Sequence, residues 1–536
     1  MRISSIYPIA FFYRCAFFFL CGLILSLGIR SAWAEETAAT SIPRLVTDGA
    51  TSHLEVDGKP FLILGGELHN STASDLEATA PLFPKLKKMG LNTVIAPVYW
   101  ELLEPEEGQF DFALVDGLLK QAREQGQRLI LLWFGTYKNG ASTYPPPWVM
   151  AHPERFPHSE RDRGTPMFDH LSVFSSATLD ADRTAFVALL RHLKEVDGTQ
   201  HTVIFIQVEN EIGIFAKRDQ STQATQLFNQ EVPHELLDYL DKHRNTLLPE
   251  TQAIWGQKGN LSEGTWSGVF GDSASEVFMA WYFGRFVEAI ASAGKAEYAV
   301  PMYVNCWIKQ NDKEMPGSYP CGGPVPPMHD IWRAAAPSLD CLGIDIYKPD
   351  FKTNVNLWIR SGNPLFIPEV ECNPFIVPKA LYAFGSCHAI CFSPFGIEDA
   401  AGRGIVEPLY TALVSIQDLI LANVSTGKLH GMMLSGDEKE AQVDVGGCIL
   451  KISGTTGGDS GLLSVELSPG KILLLANDTK IEVLDKANPP SPLSEASFSS
   501  GTYRDGNWVS DGTPPSAGSV SMTNLQFFLL KLPNSP

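Results

Sequence analysis

The stretch TVIFIQVENEIG, Thr202 to Gly213, opens as a run of β-branched and aromatic residues and ends in Gln207, Glu209, Asn210 and Glu211. Its first half reads as a buried strand. Carboxylates and amides at the end of such a strand cost several kcal/mol unless they are partnered or solvated, so either the strand has ended in water or a site begins there. A second stretch, PLFIPEVE (364–371), repeats the pattern with Glu369 and Glu371. Two opposed carboxyls without metal-binding histidines beside them have a defined chemistry. One, neutral, protonates a leaving glycosidic oxygen; the other, ionised, attacks or activates water. Burial and mutual repulsion separate their pKa values. The alternative is a structural ion-pair network, and neither segment contains an Arg or Lys to balance its acids.

The elements that must position these residues alternate along the chain. Strand-like runs fall at 61–67, 92–100, 128–135, 202–210, 301–307, 339–347, 364–371 and 388–396. Between them lie helical patterns. FALVDGLLKQAREQG carries Leu114, Val115, Leu118, Leu119 and Ala122 on one face, and LDADRTAFVALLRHLKEVDG carries Phe186, Leu189, Leu190, Leu193 and Val196. SEVFMAWYFGRFVEAIASAGK and EPLYTALVSIQDLILANV supply a third and a last helix. Eight such strands, each followed by a helix or long loop, predict an α/β chain folded as a (β/α)8 TIM barrel. A doubly wound open sheet is the alternative, but no Gly-rich phosphate loop follows any strand. In a barrel the site stands at the C-terminal strand ends. Strands four and seven, three steps apart in the ring, would bring Glu209–Glu211 and Glu369–Glu371 to one mouth. Past about residue 430 the texture becomes alternating strands punctuated by Gly, Ser and Pro, which predicts a small C-terminal all-β domain. The expected organisation is therefore 1–34 leader, 35–430 barrel and 431–536 β-rich accessory domain.

The leader carries Arg2, Arg14 and Arg30, the apolar run CAFFFLCGLILSLGI and the small-x-small site Ala32-Trp33-Ala34. It reads as a secretory signal cut after Ala34, shorter in its apolar run than a usual spanning helix. Export to the periplasm or the extracellular space is the expected localisation, with no membrane association after cleavage. The formal charge of −19 argues against nucleic acid as a partner and fits a neutral substrate. Of nine cysteines, seven follow the leader; one disulfide would be compatible with export, and the spacings match no zinc pattern. Neither a metal nor a cofactor is expected.

QVENEIG on its strand resembles glycoside hydrolase family 35, the β-galactosidases, within the clan of retaining (β/α)8 glycosidases. GGELHN, FPKLKKMGLNTVIAPVYWELLEPEEGQFDF and VDGLLKQAREQGQRLILLWFGTYKNG extend the likeness over about residues 55–215. PMYVNCW, PLFIPEVE and the β tail are similar to a bacterial branch that includes exported enzymes acting on galactosylated plant glycans. The resemblance implies that Glu211 is the general acid/base and that Asn210 binds the 2-hydroxyl. It implies Glu369 as nucleophile, with Glu371 as competitor two residues on. Tyr347, ending strand six, resembles the tyrosine that donates to the nucleophile; a half-buried core tyrosine is the other reading. The chain departs from the family where APVYWE replaces the usual TYVPWN, putting Pro97 and Glu101 at sugar-contacting positions. It departs again at GTYKN, where Lys138 and Asn139 replace an acidic residue and are expected on the 4- and 6-hydroxyl side of the sugar. Trp100 serves either stacking or packing, and Glu209 supports its neighbours rather than reacting. The expected activity is an exo-acting, retaining β-galactosidase that removes terminal β-galactosyl units from plant-type oligosaccharides such as xyloglucan fragments. The alternatives are another sugar specificity or a non-catalytic carbohydrate-binding envelope protein.

Overall fold

The apolar runs fold into eight parallel strands: β1 (Ile63–Leu64), β2 (Thr93–Tyr99), β3 (Arg128–Lys138), β4 (Val203–Asn210), β5 (Met302–Val304), β6 (Cys341–Ile346), β7 (Phe366–Val370) and β8 (Cys391–Pro394). The computed structural model describes residues 41–533 except 50, 310–312, 348–349, 361 and 488–490, so the export signal read at 1–34 lies outside the described residues. The strands are hydrogen-bonded in the order β1-β8-β7-β6-β5-β4-β3-β2. The ring closes where Leu68 N–H donates to the Ile95 carbonyl at 3.0 Å and Ile95 N–H to the Gly66 carbonyl at 2.9 Å. The fold is a (β/α)8 barrel followed by an all-β region. Strands buried on both faces are apolar almost throughout: every residue of β2, β4 and β7 is buried.

Helices cover the ring where the sequence pattern placed them. Ala113–Glu124 buries Val115, Leu118, Leu119 and Ala122. Ser176–Asp197 is capped by the Ser175 hydroxyl, which accepts from Thr178 N–H, and buries Phe186, Leu189, Leu190 and Leu193. Ala274–Glu297 packs against it, and Glu407–Asn423 ends the barrel. Each large side chain sealed in this core, such as Trp133 or Phe134, contributes about 1.5–3 kcal/mol. Upstream, Thr51–Val56 and Lys59–Phe61 form a hairpin, with Asp57 and Gly58 at positive φ (53° and 72°) in its tight turn.

The all-β region starts at Leu429–Leu434, the first strand of a seven-stranded sheet that faces a four-stranded one. Strand Lys471–Asn477 shows why both sheets are needed. Its alternate residues Ile472, Leu474 and Ala476 enter the core between the sheets, while Leu473 and Leu475 join the core of the barrel. The sheet therefore lies directly on barrel helices. At Gly461 an added Cβ would stand 2.6 Å from Pro378 Cα, so only glycine permits that approach.

The disulfide that export would permit does not form among the described residues: Cys306, Cys321, Cys341, Cys372, Cys387, Cys391 and Cys448 are all free. No helix among the described residues is long and apolar enough to cross a membrane.

Candidate active site

At the end of β4 the backbone leaves regular extension twice. Glu209 and Glu211 both take positive φ, 63° and 46°, a conformation that costs a non-glycine residue about 1–2 kcal/mol and is held only where surroundings over-determine it. The consequence is that neighbouring acids go to different places. The Glu209 carboxyl accepts Tyr137 N–H at 2.6 Å and Thr136 N–H at 3.3 Å. Beside it Asp182, from helix Ser176–Asp197, accepts from Trp133 Nε1 (2.8 Å), Thr136 N–H (2.8 Å) and the Thr136 hydroxyl (2.5 Å). Burial, then the Asp182 charge, holds Glu209 well above the usual carboxyl range. These two acids grip the end of β3, where its register with β4 shifts between Trp133 and Lys138. A Cβ at Gly135 would collide with Trp133 Nε1 at 2.3 Å and with both carboxyls at 2.8 Å.

The gripped segment delivers Lys138 and Asn139. Lys138 is buried and its Nζ donates to Asn210 Oδ1 at 3.0 Å. Asn139, at φ 54°, donates from Nδ2 to Glu211 Oε2 at 2.7 Å. Asn210 Nδ2 has no partner, which leaves a donor for a bound hydroxyl. Across the mouth, Glu369 on β7 accepts from the Tyr347 hydroxyl at 2.5 Å and from Asn305 Nδ2 at 3.4 Å. Asn305, just past β5, ties the two halves together, because its Oδ1 also accepts Glu211 N–H at 2.7 Å and its Nδ2 donates to Asp345 at 2.7 Å.

Glu211, Glu369, Asp345, Lys138, Asn139 and Tyr347 line one cavity of about 330 Å³, with Asn70, Trp307, Ile308 and Phe395 completing the wall. Glu67, after β1, is buried against Glu369, and neither of its oxygens has an N–H donor. Four carboxyls thus surround the single ammonium of Lys138. They cannot all be ionised. Burial, then the Glu369 charge, pushes Glu211 up to about 8. The same two causes hold Glu67 and Asp345 well above the usual range, with Lys138 opposing in each case. Glu369 is the side-chain neighbour to which Glu67, in its neutral form, can donate. The nucleophile candidate therefore sits among donors, and the acid candidate is biased toward keeping its proton. Among the described residues no group of three or more His, Cys, Asp or Glu is arranged to hold a metal ion.

Of the residues singled out in the sequence, Glu211, Glu369, Tyr347, Lys138 and Asn139 line the cavity, and Asn210 is bonded to Lys138 beside it. Trp100 does not line it. The short helix Trp100–Leu103 begins at this residue, whose ring is fully buried against Trp148 with Nε1 donating to Glu104 at 2.8 Å. Its role is packing, the second of the two readings. Glu371 is exposed beyond the end of β7 and does not line this cavity. Glu67, Asn70, Asn305, Trp307 and Asp345 were not singled out. Each stands within or just beyond a quoted strand (GGELHN, VNCW, GIDIY), and Asp345 carried the same signal as Glu209, an acid inside an apolar run.

Comparison with known proteins adds an outside view. Residues 74–259 match a family model described as beta-galactosidase, and residues 406–512 match a domain of unknown function, DUF5597. A beta-galactosidase of Xanthomonas manihotis is 32% identical over 200 residues, covering 36% of this chain and 30% of that protein. The human beta-galactosidase-1-like protein 3 is 30% identical over 177 residues, 31% of this chain and 24% of its own length. The chain thus spans under a third of the length of these relatives. Among solved structures, the catalytic domain of a beta-amylase from Paenibacillus polymyxa superposes with a TM-score of 0.46 at 14% identity, over 66% of this chain and 97% of that one. The segment similar to the family described as beta-galactosidase, 74–259, contains Lys138, Asn139, Asn210 and Glu211; Glu369 lies beyond it.

Proposed function

We propose that the chain is a retaining, exo-acting glycoside hydrolase, a β-galactosidase of the family 35 kind that removes terminal β-galactosyl units from plant-type oligosaccharides outside the cytoplasm. The observation that carries the reading is the pairing of Glu211 and Glu369 in one cavity, with the Tyr347 hydroxyl and Asn305 donating to Glu369 and Asn139 to Glu211. The similarity of residues 74–259 to proteins named beta-galactosidase supports the sugar, and the N-terminal export signal supports the location. A cavity of about 330 Å³ is at the small end of ligand clefts, suited to one sugar ring and hence to chain ends.

In this reading Glu369 attacks the anomeric carbon while Glu211 gives its proton to the departing glycosidic oxygen. The C–O bond to the leaving group breaks as a glycosyl ester to Glu369 forms. Esterification removes the negative charge that helps hold Glu211 near 8, so its pKa falls and it becomes the base that takes a proton from the incoming water. Asn210 Nδ2 meets the 2-hydroxyl. Lys138, Asn139 Oδ1 and the unpartnered Asn70 Oδ1 meet the hydroxyls that distinguish galactose from its epimer. Binding polar groups that are otherwise unpaired is what lets a site reject the wrong hydroxyl strongly.

The test is a panel of 4-nitrophenyl β-glycosides with NMR of the first-formed anomer. Preferential hydrolysis of the galactoside with β-galactose released first is expected. Preference for the glucoside would overturn the sugar assignment, α-galactose first would overturn retention, and no turnover of any member would overturn the hydrolase reading.

A further inference from the structure

A second, larger cavity of about 720 Å³ opens beside the first, and Tyr347 is a wall of both. It is built by barrel and all-β region together: Asp350, Glu371, Phe375 and Lys379 come from the loops and helix after β6 and β7, and Asp459 with the turn at 435–436 from the β region. The β region is fixed in place. Lys352 Nζ binds Glu438 at 2.6 Å and the Met433 carbonyl at 3.2 Å, and the Ser386 hydroxyl donates to the Gly431 carbonyl at 2.7 Å. The glycine at 461 lets Asp459 approach the start of helix Ile376–Gly385.

Lys379 is the telling residue. It is only 4% exposed, yet its ammonium makes no hydrogen bond or ion pair with any described residue; its nearest charges are Glu371 and Asp459, and the Phe351 ring lies 6.0 Å away. Burial lowers its pKa, with those two acids opposing. The side chain is buried but its ammonium is not sealed off, so it reaches the cavity, and its acceptor must come from what fills that cavity. Around it stand three carboxylates able to accept from hydroxyls, and the half-exposed ring of Phe375 offers an apolar face. Acceptors, one donor cation and an aromatic face suit a neutral polyhydroxylated ligand. Three acids against one lysine disfavour an anionic one.

We propose that this cavity is the continuation of the active site that holds the neutral oligosaccharide carrying the terminal sugar, with Lys379 and Asp459 as its hydroxyl-reading groups. The inference rests on the glycosidase reading above. It assigns the all-β region a part in substrate selection.

The experiment uses the full chain and its Lys379→Met and Asp459→Asn variants, each assayed on 4-nitrophenyl β-galactoside and on a galactosylated xyloglucan oligosaccharide. Expected is a fall of about tenfold or more in kcat/KM for the oligosaccharide, mainly through KM, as for loss of a charge-assisted hydrogen bond. The nitrophenyl substrate, whose leaving group carries no sugar hydroxyl for these groups to read, should change by less than about twofold. Thermal melting should not fall for Lys379→Met, because the variant removes an unpaired buried charge; should it fail to fold, the half-exposed Asp459 carries the test alone. Equal losses on both substrates, or no loss on either, would overturn the proposal while leaving the hydrolase reading intact. If the wild type hydrolyses neither substrate, the hydrolase reading fails, and calorimetric titration with the oligosaccharide decides the cavity: binding weakened by Asp459→Asn supports it, no binding overturns it.

Discussion

Two groups of buried acids lie within a few residues of each other at the end of β4, and they behave differently. Behind the strand, Glu209 and Asp182 line neither of the two cavities described above. They lie beside each other, and their carboxyls accept hydrogen bonds from the β3 segment they hold, at Trp133, Thr136 and Tyr137. In front, Glu211 and Glu369 share a cavity with Asp345, and the amide of Asn210 beside it keeps an unused donor. Both groups contain acids pushed above the ordinary range by burial first. A perturbed carboxyl is thus no sign of chemistry by itself; what separates the two is open space and unpartnered polar atoms facing it. The rear pair is the scaffold for the front one, since it aims Lys138 and Asn139.

The sharpest way to break this contrast is Glu369→Gln. Turnover should fall on the order of 10⁴-fold or more, as for removal of a nucleophile, with sugar binding kept. Added azide should give the inverted glycosyl azide, detectable by NMR. Glu371→Gln should retain turnover of an aryl galactoside, because Glu371 is exposed outside the inner cavity. An inactive Glu371 variant beside an active Glu369 one would reverse the assignment.

Glu211→Ala should cost about 10²–10⁴-fold, the usual range for general acid–base groups, and azide should here yield the retained product. The wild-type kcat profile should fall as pH rises through about 8, where Glu211 loses its proton. With an aryl leaving group that needs no acid, that limb should flatten in the variant. A basic limb that persists unchanged would mean another group supplies the proton.

Much of the front group was legible in sequence because acids interrupting an apolar run are a strong signal, and Glu211 just past β4 and Glu369 on β7 stand at places the ring brings together. Trp100 was not resolved by sequence because an aromatic at a strand end has the same pattern whether it stacks on a ligand or on Trp148; only the helix beginning at that residue decides. Glu67 and Asn305 were missed for a different reason. A single polar residue after a short strand looks solvated until closure of the ring places it inward, and β1 and β5 have only two and three residues. Lys138 was read as a specificity residue, yet the structure also makes it the cation that opposes three raised carboxyls. That role depends on acids from three different strand ends and leaves no local trace.

The rear group predicts a smaller effect of another kind. Glu209→Ala leaves the Tyr137 N–H unpaired in a sealed region, while Thr136 N–H keeps its shorter bond to Asp182, at a cost of about 1–3 kcal/mol for a buried donor, read as a lower denaturation midpoint. Glu209→Gln keeps an acceptor for Tyr137 and a donor toward Asp182, mimicking the neutral acid, so it should be close to wild type in stability and hold activity within about threefold. If Glu209→Gln instead abolishes turnover while folding normally, the acid belongs to the chemistry and the contrast between the two groups is lost.

The smallest and most diagnostic effect is in the pH dependence of stability. Glu67, Asp345 and Glu211 all have folded pKa values above their ordinary ones, Glu211 at about 8 against 4.5. Between the unfolded and folded values the folded chain holds more protons than the unfolded chain, so stability must fall as pH rises across that interval and level off beyond it. Surface carboxylates in ion pairs, such as Glu107 with Arg155, have lowered pKa values and act in the opposite sense below about 4.5. In the window between the ordinary carboxyl range and pH 8, burial also raises Glu209, Glu104 and Glu276, and buried histidines such as His170, held low, act in the opposite sense, so it is the difference between wild type and a front-group variant that reports on the front group. Glu67→Gln removes one of these titrations while its amide still donates to Glu369, so the melting temperature should drop less steeply across the window than in wild type. The difference should grow as pH rises above the ordinary carboxyl range, where burial opposes ionisation of wild-type Glu67. If the two slopes are the same, Glu67 is not the acid that holds the extra proton, and Asp345, tied to Glu369 through their common partner Asn305, is the next to test.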